Sequence, residues 1–445
     1  MSEPADWDIE VDVVVVGGGA CGVMTALRAA QDPDLVVAVL EKSTREGCNA
    51  AISSGSLAAG GTRFQRAAGV DDSPEQHARD ILALSHDEEW AHIVHALCAV
   101  APDVVEWLAD ELGYPIEIGL DMPRAGMSVP RLHADIGRLG GGRLMAHLRA
   151  ALDRMPHVAF VDESPVVGVV VDGGTVVGVE TVQNGQRQRV RADAVVLASD
   201  GFAASAELLH RHCPDIGDPF YGGVSTSTGD ATRWLEPLGA TFRNMAACLR
   251  SGLVVVDRGT RVSPALQFNG AVLVSTDGRR FTDEEAHGYS SMAGILREQP
   301  GERAAMIWDA TAMATVRETE MMRDCLAAGA ISDLPDVAAV GGVLGLTEQE
   351  TARALAPLPD RRPLVAPFHL AWVTHGVLTT QGGVVVDTDG RVLDAHGDPV
   401  PGLYAGGGTV CGLAGPSSDG YSSGNGLLSA LGFGWIIGNA LAGAR

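Results

Sequence analysis

A chain of 445 residues, 46% of them hydrophobic, can bury more than one core, which excludes a disordered protein and makes two domains the natural expectation. Its formal net charge of -24 is spread along the chain without a basic stripe, which excludes a surface that follows a nucleic-acid backbone. The seven cysteines (Cys21, Cys48, Cys98, Cys213, Cys248, Cys325 and Cys411) show neither CxxC nor CxxCH spacing. That pattern excludes a zinc site and an attached haem, and it points to a reducing cytoplasm with no structural metal.

The opening MSEPADWDIE is acidic and lacks the basic start and cleavage site of a secretory signal, so the chain reads as not exported. Residues 11–16, VDVVVV, form a continuous β-branched run expected of a strand buried on both faces of a parallel sheet. GGGACGVMTALRAA and LVVAVLEK follow, which completes strand, turn, helix and strand at the size of one βαβ unit. Residues 74–155 read as mostly helical with loops. VAFVDESPVVGVVVDGGTVVGVE then predicts a β-meander, with VDGG as its tight turn. The texture changes at 257–372, where strand-like GAVLVSTDGRRF, helical residues 302–328 and the proline-rich PLPDRRPLVAPF predict an inserted domain. QGGVVVDTDGRVLD and VPGLYAGGG return to strand and turn signals, and no internal repeat stands out.

Gly17, Gly19 and Gly22 spell GxGxxG directly after the first strand, and Glu41 stands 19 residues beyond Gly22. The first glycine permits the tight turn, the second lets the backbone approach a pyrophosphate, and the third lets helix and strand pack closely. The helix N-terminus attracts the pyrophosphate charge, and Glu41 is placed to accept hydrogen bonds from a ribose diol. NAD and FAD both use this fingerprint.

Further motifs follow in order. EKSTREGCNAAISSG is similar to an EK…GGNS…SGG loop, VVLASDGFAAS to an ATGGF segment, and TSTGDATRWLEPLGA to a TGDG helix. GRRFTDEE resembles GxRFxNE, and VPGLYAGGG resembles PGLYAAGE. Over nearly its whole length the chain resembles the FAD-dependent fumarate reductase and succinate dehydrogenase flavoproteins, especially the branch containing the 3-ketosteroid dehydrogenases.

That resemblance implies an α/β, Rossmann-type FAD-binding domain from residues 1–256 and 373–445, with an α+β capping domain from 257–372. It implies FAD contacts from Gly17, Gly19, Ala20 and Gly22 in the first turn, and from Glu41 and Lys42 at the strand end. Asn49, Ser53, Ser54 and Gly55 supply the next loop, and Val166, Ala198 and Asp230 lie further on. Gly408, Gly424, Gly426 and Leu427 complete the set near the C-terminus. Asp200 departs from the pattern, standing where relatives have glycine. The implied chemistry is redox at a C–C bond beside a carbonyl, with hydride passing between the β-carbon and flavin N5.

Residues 419–438, DGYSSGNGLLSALGFGWIIG, open a stretch in which nothing from Gly424 to Gly443 is charged, long enough to cross a membrane. Asn425, Ser429 and Asn439, together with Gly424, Gly426, Gly432, Gly434, Gly438 and Gly443, interrupt it, which suits a packed helix and no membrane span. In the resembled family this helix points its N-terminus at the flavin.

Tyr421 stands where fumarate reductases carry their carboxylate-binding arginine, and Thr379 replaces their HTxGG histidine, with His375 upstream. Ketosteroid dehydrogenases have a tyrosine at the first position, some with a serine two residues later, as Ser423 is here; Tyr289 falls near their cap tyrosine. The candidate catalytic residues are therefore Tyr421, Tyr289 and Ser423. A phenol can hydrogen-bond a ketone oxygen or, with its pKa lowered from about 10, take an α-proton. Plainer roles stand beside these: Tyr289 in the cap core, Tyr421 packing on the flavin, and His133 and His369 orienting loops.

The leading expectation is an FAD-dependent dehydrogenase that converts a ketone to an enone, with a small carbonyl compound as substrate. Two other readings stay open: an oxidase or reductase of a carboxylated natural product, using Arg258, Arg261, Arg279 or Arg280 as its clamp, and a non-catalytic flavin-binding subunit. The electron acceptor stays open among quinone, oxygen, an electron carrier and an external dye.

Overall fold

The computed structural model describes residues 7–120, 126–137, 140–287 and 289–443. In chain order, the first elements are β1 (Ile9–Val16), α1 (Ala20–Ala29), β2 (Val37–Leu40), α2 (Ala91–Asp110) and β3 (Val158–Val161). β4 (Val166–Asp172), β5 (Thr175–Gln183) and β6 (Gln186–Leu197) follow, then β7 (Cys248–Val255), β8 (Val272–Ser275), β9 (Arg303–Asp309) and β10 (Phe368–Thr380). β11 (Arg391–Leu393), β12 (Pro399–Ala405) and α3 (Asn425–Ala442) close the chain.

The chain folds as two compact units: Met1–Asp215, Gly223–Cys248 and Thr379–Arg445 form the first, and Ile216–Gly222 with Leu249–Leu378 the second. The first is built on an eight-stranded sheet in the order β11-β12-β6-β1-β2-β3, with the β4–β5 hairpin continuing antiparallel from β6. β1 pairs in parallel with both β2 and β6, so it is a central strand, and Val13 to Val16 are buried as their β-branched run predicts. Val171 to Thr175 carry the hairpin turn where VDGG predicts it.

Among the residues of α1, only Arg28 is not fully buried. The helix is covered by α3, whose Gly434 and Gly438 allow close approach. A methyl group at Gly438 would meet Arg28 Cβ at 2.5 Å and the Thr25 carbonyl oxygen at 2.6 Å; one at Gly434 would meet the Cys21 carbonyl oxygen at 2.7 Å. Arg28 lies 4.0 Å over the Trp435 ring and donates to Asn439 Oδ1 from Nε (3.0 Å) and Nη2 (2.7 Å). α3 and Glu88–Asp110 are the two described helices with the length and apolar composition to cross a membrane. Eleven of the 18 residues of α3 are buried within the protein, so its apolar surface is spent on the interior.

The second unit has its own six-stranded sheet, in which β9 lies between β8 and β10, with β7, Phe220–Tyr221 and Ser332–Leu334 also paired to β10. Leu273, Met306, Trp308 and Val373 form its core with Met292 and Leu296 from the helix Tyr289–Arg297.

Two stretches differ from the helical expectation. Residues 302–328 begin with β9, whose run from Ala304 to Asp309 is wholly buried between antiparallel partners before helices Ala310–Val316 and Glu320–Ala327 start. Within 74–155, Ile116–Ile118 and Leu132–Asp135 are strands that form a three-stranded antiparallel sheet with Leu57–Ala58. Both segments are short, and tertiary pairing decides their state.

Gly438→Val inserts a branched side chain where a single methyl already collides. It is expected to lower unfolding stability by about 1–3 kcal/mol, the usual cost of overpacking, read as a reduced urea midpoint. An unchanged midpoint would mean that α3 can lift off α1 freely.

Candidate cofactor and active site

An open cleft in the first unit is lined by the glycine turn (Gly17, Gly19), by Glu41 and Lys42 after β2, and by Val166, Ala198 and Asp230. Seven of the expected cofactor residues therefore share one cavity. The turn itself is sterically determined: Gly17 has φ +107°, and a side chain there would collide with the Ala198 carbonyl. A methyl at Gly22 would fall on the Gly17 carbonyl oxygen, so the third glycine is what lets α1 sit against the turn. Ala20 and Gly22, also expected as cofactor contacts, are buried in α1 and do not line the cleft.

The cleft carboxylates are all held. Glu41 accepts from the Gly18 amide (2.6 Å) through one oxygen and from the Ser43 amide (2.7 Å) through the other. Lys42 Nζ donates to Asp230 Oδ2 and Thr228 Oγ1, each at 2.8 Å, so its charge is already compensated. The N-terminus of α1 then supplies the uncommitted positive potential: Gly19 caps it without a side-chain hydrogen bond, and the first turn carries no acid. Burial pushes the Cys48 thiol up, which makes this lining residue a neutral neighbour and not a nucleophile.

Asn49 donates to Asp200 Oδ2 (2.6 Å) and accepts from the Val224 amide (3.1 Å), tying its loop to the segment around Ser227. Ser53 donates to the Ala50 carbonyl and accepts from Gly55, and Ser54 bonds Ser56, so these three predicted contacts brace their own loop. Asp200, Thr226, Ser227 and Trp234 line the cleft beyond the residues expected as cofactor contacts. TSTGD is a recognisable motif, yet only the spatial return of its loop beside Asn49 marks Ser227.

At the start of α3, Gly424 is the N-cap with φ +88°, and a side chain there would meet Ala58 and Leu132. Gly426 is exposed and Leu427 is buried. Tyr421, half-buried, accepts a hydrogen bond at its hydroxyl from the Gly426 amide (3.3 Å), which puts the phenol on the first turn of the helix. Ser423 is half-buried in the same turn. Tyr289 opens a helix of the second unit, and its side chain lies outside the described residues. Asn425 is buried with both amide atoms lacking a partner among the described residues, and so is the Ser429 hydroxyl one turn later.

These observations fit FAD: a glycine cradle, an uncapped helix end for pyrophosphate, a tethered carboxylate suited to a ribose, and buried polar atoms at α3 awaiting a polar partner.

Close to the start of α3, Leu132 belongs to a strand that carries a buried ionic network at its entry. Arg131, with a side chain at 0% exposure, donates to both oxygens of Asp72 (2.8 and 2.9 Å) and to Asp80 (2.7 Å). His133 bonds the Thr62 hydroxyl and the Arg131 carbonyl, while His369 pairs with Asp333; both stand in strands and not in the loops expected of them. Burial lowers His77 to about 3 and His133 to about 4, and Arg131 adds repulsion at His77.

Comparison with known proteins agrees with this geometry. Residues 12–427 match the family described as FAD binding domain. The NADH:fumarate oxidoreductase of Klebsiella pneumoniae is 27% identical over 97% of this chain, and the chain spans 47% of that protein's length. The 3-oxosteroid 1-dehydrogenase of Rhodococcus opacus is 27% identical over 92% of this chain and 94% of its own. Among solved structures, the open conformation of a flavocytochrome c3 fumarate reductase superposes with a TM-score of 0.84 at 26% identity, covering 98% of this chain and 79% of that one.

Glu41→Gln must turn its NH2 group toward one of the two amides that the carboxylate now accepts from. FAD affinity is expected to fall about tenfold or more, as for loss of a hydrogen bond to a charged group, measured by fluorescence titration. Unchanged affinity would remove Glu41 from cofactor binding.

His77 and His133 have folded pKa values below the ordinary 6.5. Their stabilisation is therefore complete above pH 6.5 and is lost as pH falls toward 4 and then 3. The urea midpoint should be flat just above neutrality and decline below about pH 6.5. His133→Gln should flatten the upper part of that decline, and an unaltered profile would assign it to other groups.

Proposed function

The chain belongs to the FAD binding domain family and takes FAD as its cofactor, and we propose that it is an oxidoreductase of CH–CH groups that desaturates a cyclic ketone at the carbons α and β to its carbonyl. The observation that carries this reading is the Gly426 amide donating to the Tyr421 hydroxyl on the first turn of α3. The amide donor orients the phenolic oxygen at the positive end of the helix. Tyr421 is thereby suited to hold or receive a proton at its hydroxyl, or to direct that hydroxyl at a ketone oxygen.

Bound flavin supplies the hydride acceptor. The chain's part is to orient the ketone and move the α-proton. Tyr421 and the amides of its turn serve one of these tasks, with Ser423 polarising the same region.

The 3-oxosteroid dehydrogenase relative supports this reading because the likeness runs through nearly all of both chains, whereas the fumarate oxidoreductase extends far beyond the match. A dicarboxylate substrate is disfavoured by tyrosine at position 421. Of the arginines that would serve as a substitute clamp, Arg279 is bound to Asp277 and Arg280 to Glu284. None of the seven cysteines is in a disulfide, which supports a reducing cytoplasmic setting.

Anaerobic mixing of the purified protein with saturated cyclic ketones, including 3-ketosteroids, is expected to bleach the flavin absorbance near ~450 nm. Tyr421→Phe should retain FAD and lose about 10²–10⁴-fold in the bleaching rate, the range for a general acid or base. Bleaching by no ketone, with reoxidation of reduced protein by enoates, would replace this reading with enoate reduction.

A further inference from the structure

Asp200 is the residue that the fingerprint does not explain. It has φ +65°, in the left-handed region that disfavours any side chain other than glycine, asparagine or aspartate. Aspartate is among the few residues that adopt this conformation readily, and here it sets a carboxylate on the lining of the cofactor cleft. Asn49 Nδ2 and the Ser227 hydroxyl both donate to Oδ2, each at 2.6 Å, which fixes the orientation of the group. The other oxygen, Oδ1, occupies the space a side chain at Gly408 would take.

The two positions therefore exclude one another. With Asp200 in place, residue 408 has to be glycine; with glycine at 200, the space beside 408 is open. The sequence carries the same exchange, since ASDGF has an acid where ATGGF has none, and YAGGG lacks the acid of YAAGE.

We propose that Asp200 is a cofactor-binding residue whose Oδ1 accepts a hydrogen bond from a hydroxyl of the FAD ribityl chain, in the place of an acid at position 408. The chemistry selects the polyol. A carboxylate repels pyrophosphate and matches hydroxyl donors, which FAD carries on its ribose and its ribityl chain; the flavin N3–H and the adenine amino group are the other donors, and the analogues tested below tell the polyol from them. The ribose is assigned here to Glu41, which the Gly18 and Ser43 amides hold, so the inference rests on that reading of the cleft.

The test is flavin release from the holoenzyme, followed as recovery of free-flavin fluorescence. Asp200→Gly keeps the left-handed turn and should release FAD about tenfold faster or more, the loss expected for a charge-assisted hydrogen bond. Gly408→Glu alone should also release FAD faster, because two carboxylates collide. The double variant D200G/G408E should return to within a few-fold of the parent. Release from D200G at the parent rate, or a double variant no better than D200G, overturns the proposal. If G408E fails to fold, titration of flavin-stripped full-length chain decides. The parent should bind FAD about tenfold tighter than FAD analogues lacking single ribityl hydroxyls, for at least one hydroxyl, and Asp200→Ala should lose that discrimination. Discrimination kept in Asp200→Ala overturns the assignment, and because Glu41→Gln is read separately with FAD itself, failure of the ribose reading is distinguishable.

Discussion

The backbone of α1 sits so close to the turn before it that position 22 has no room for a methyl group. Much of the first unit follows from that contact. It seats α1 on the central strand β1, so the uncapped end of the helix opens into the cleft. It also presents a smooth backbone on which α3 packs through Gly434 and Gly438. The start of α3, with the Tyr421 hydroxyl against its first turn, is thereby placed by packing that begins at a glycine near the other end of the chain.

Electrostatics then divides the cleft into tasks. In a chain with a net charge of -24, three cleft carboxylates remain tolerable because each is individually bound. Backbone amides hold Glu41, Lys42 holds Asp230, and an amide with a hydroxyl holds Asp200. Lys42 is consumed in that role, so attraction for the phosphate portion of FAD falls to peptide dipoles at the helix end. The same device recurs at α3, where an amide meets a phenol. Peptide dipoles need no counter-ion and no flexible side chain, which suits positions that must not move when a ligand enters.

The first βαβ unit is legible in the sequence because its rules are local. A β-branched run, glycines at fixed offsets and an acid at the next strand end describe a structure that closes within about 30 residues. The motifs around Asn49, Asp230 and Gly408 are legible as patterns, yet their partners are not. Ser227 meets Asp200 across 27 positions and Asn49 across 178. The sheet joining Leu57–Ala58 to Leu132–Asp135 is invisible for a related reason: its strands span two to four residues, too few to show a period of two. Arg131 reads as an ordinary charged loop residue, although it is entirely buried between two aspartates.

By itself, the sequence determined the nucleotide-binding turn, the buried parallel strand, the glycine-diluted helix near the C-terminus and the choice of tyrosine at position 421. All of these are set by residue type at short spacing, where backbone sterics and hydrogen-bonding capacity act directly. Tertiary structure alone decided that Asp200 and Gly408 compete for one space, that Lys42 is neutralised, and that the Tyr421 hydroxyl meets a helix amide. Those relations depend on which surfaces come within a few ångströms of each other, and a linear order of residues carries no record of such distances.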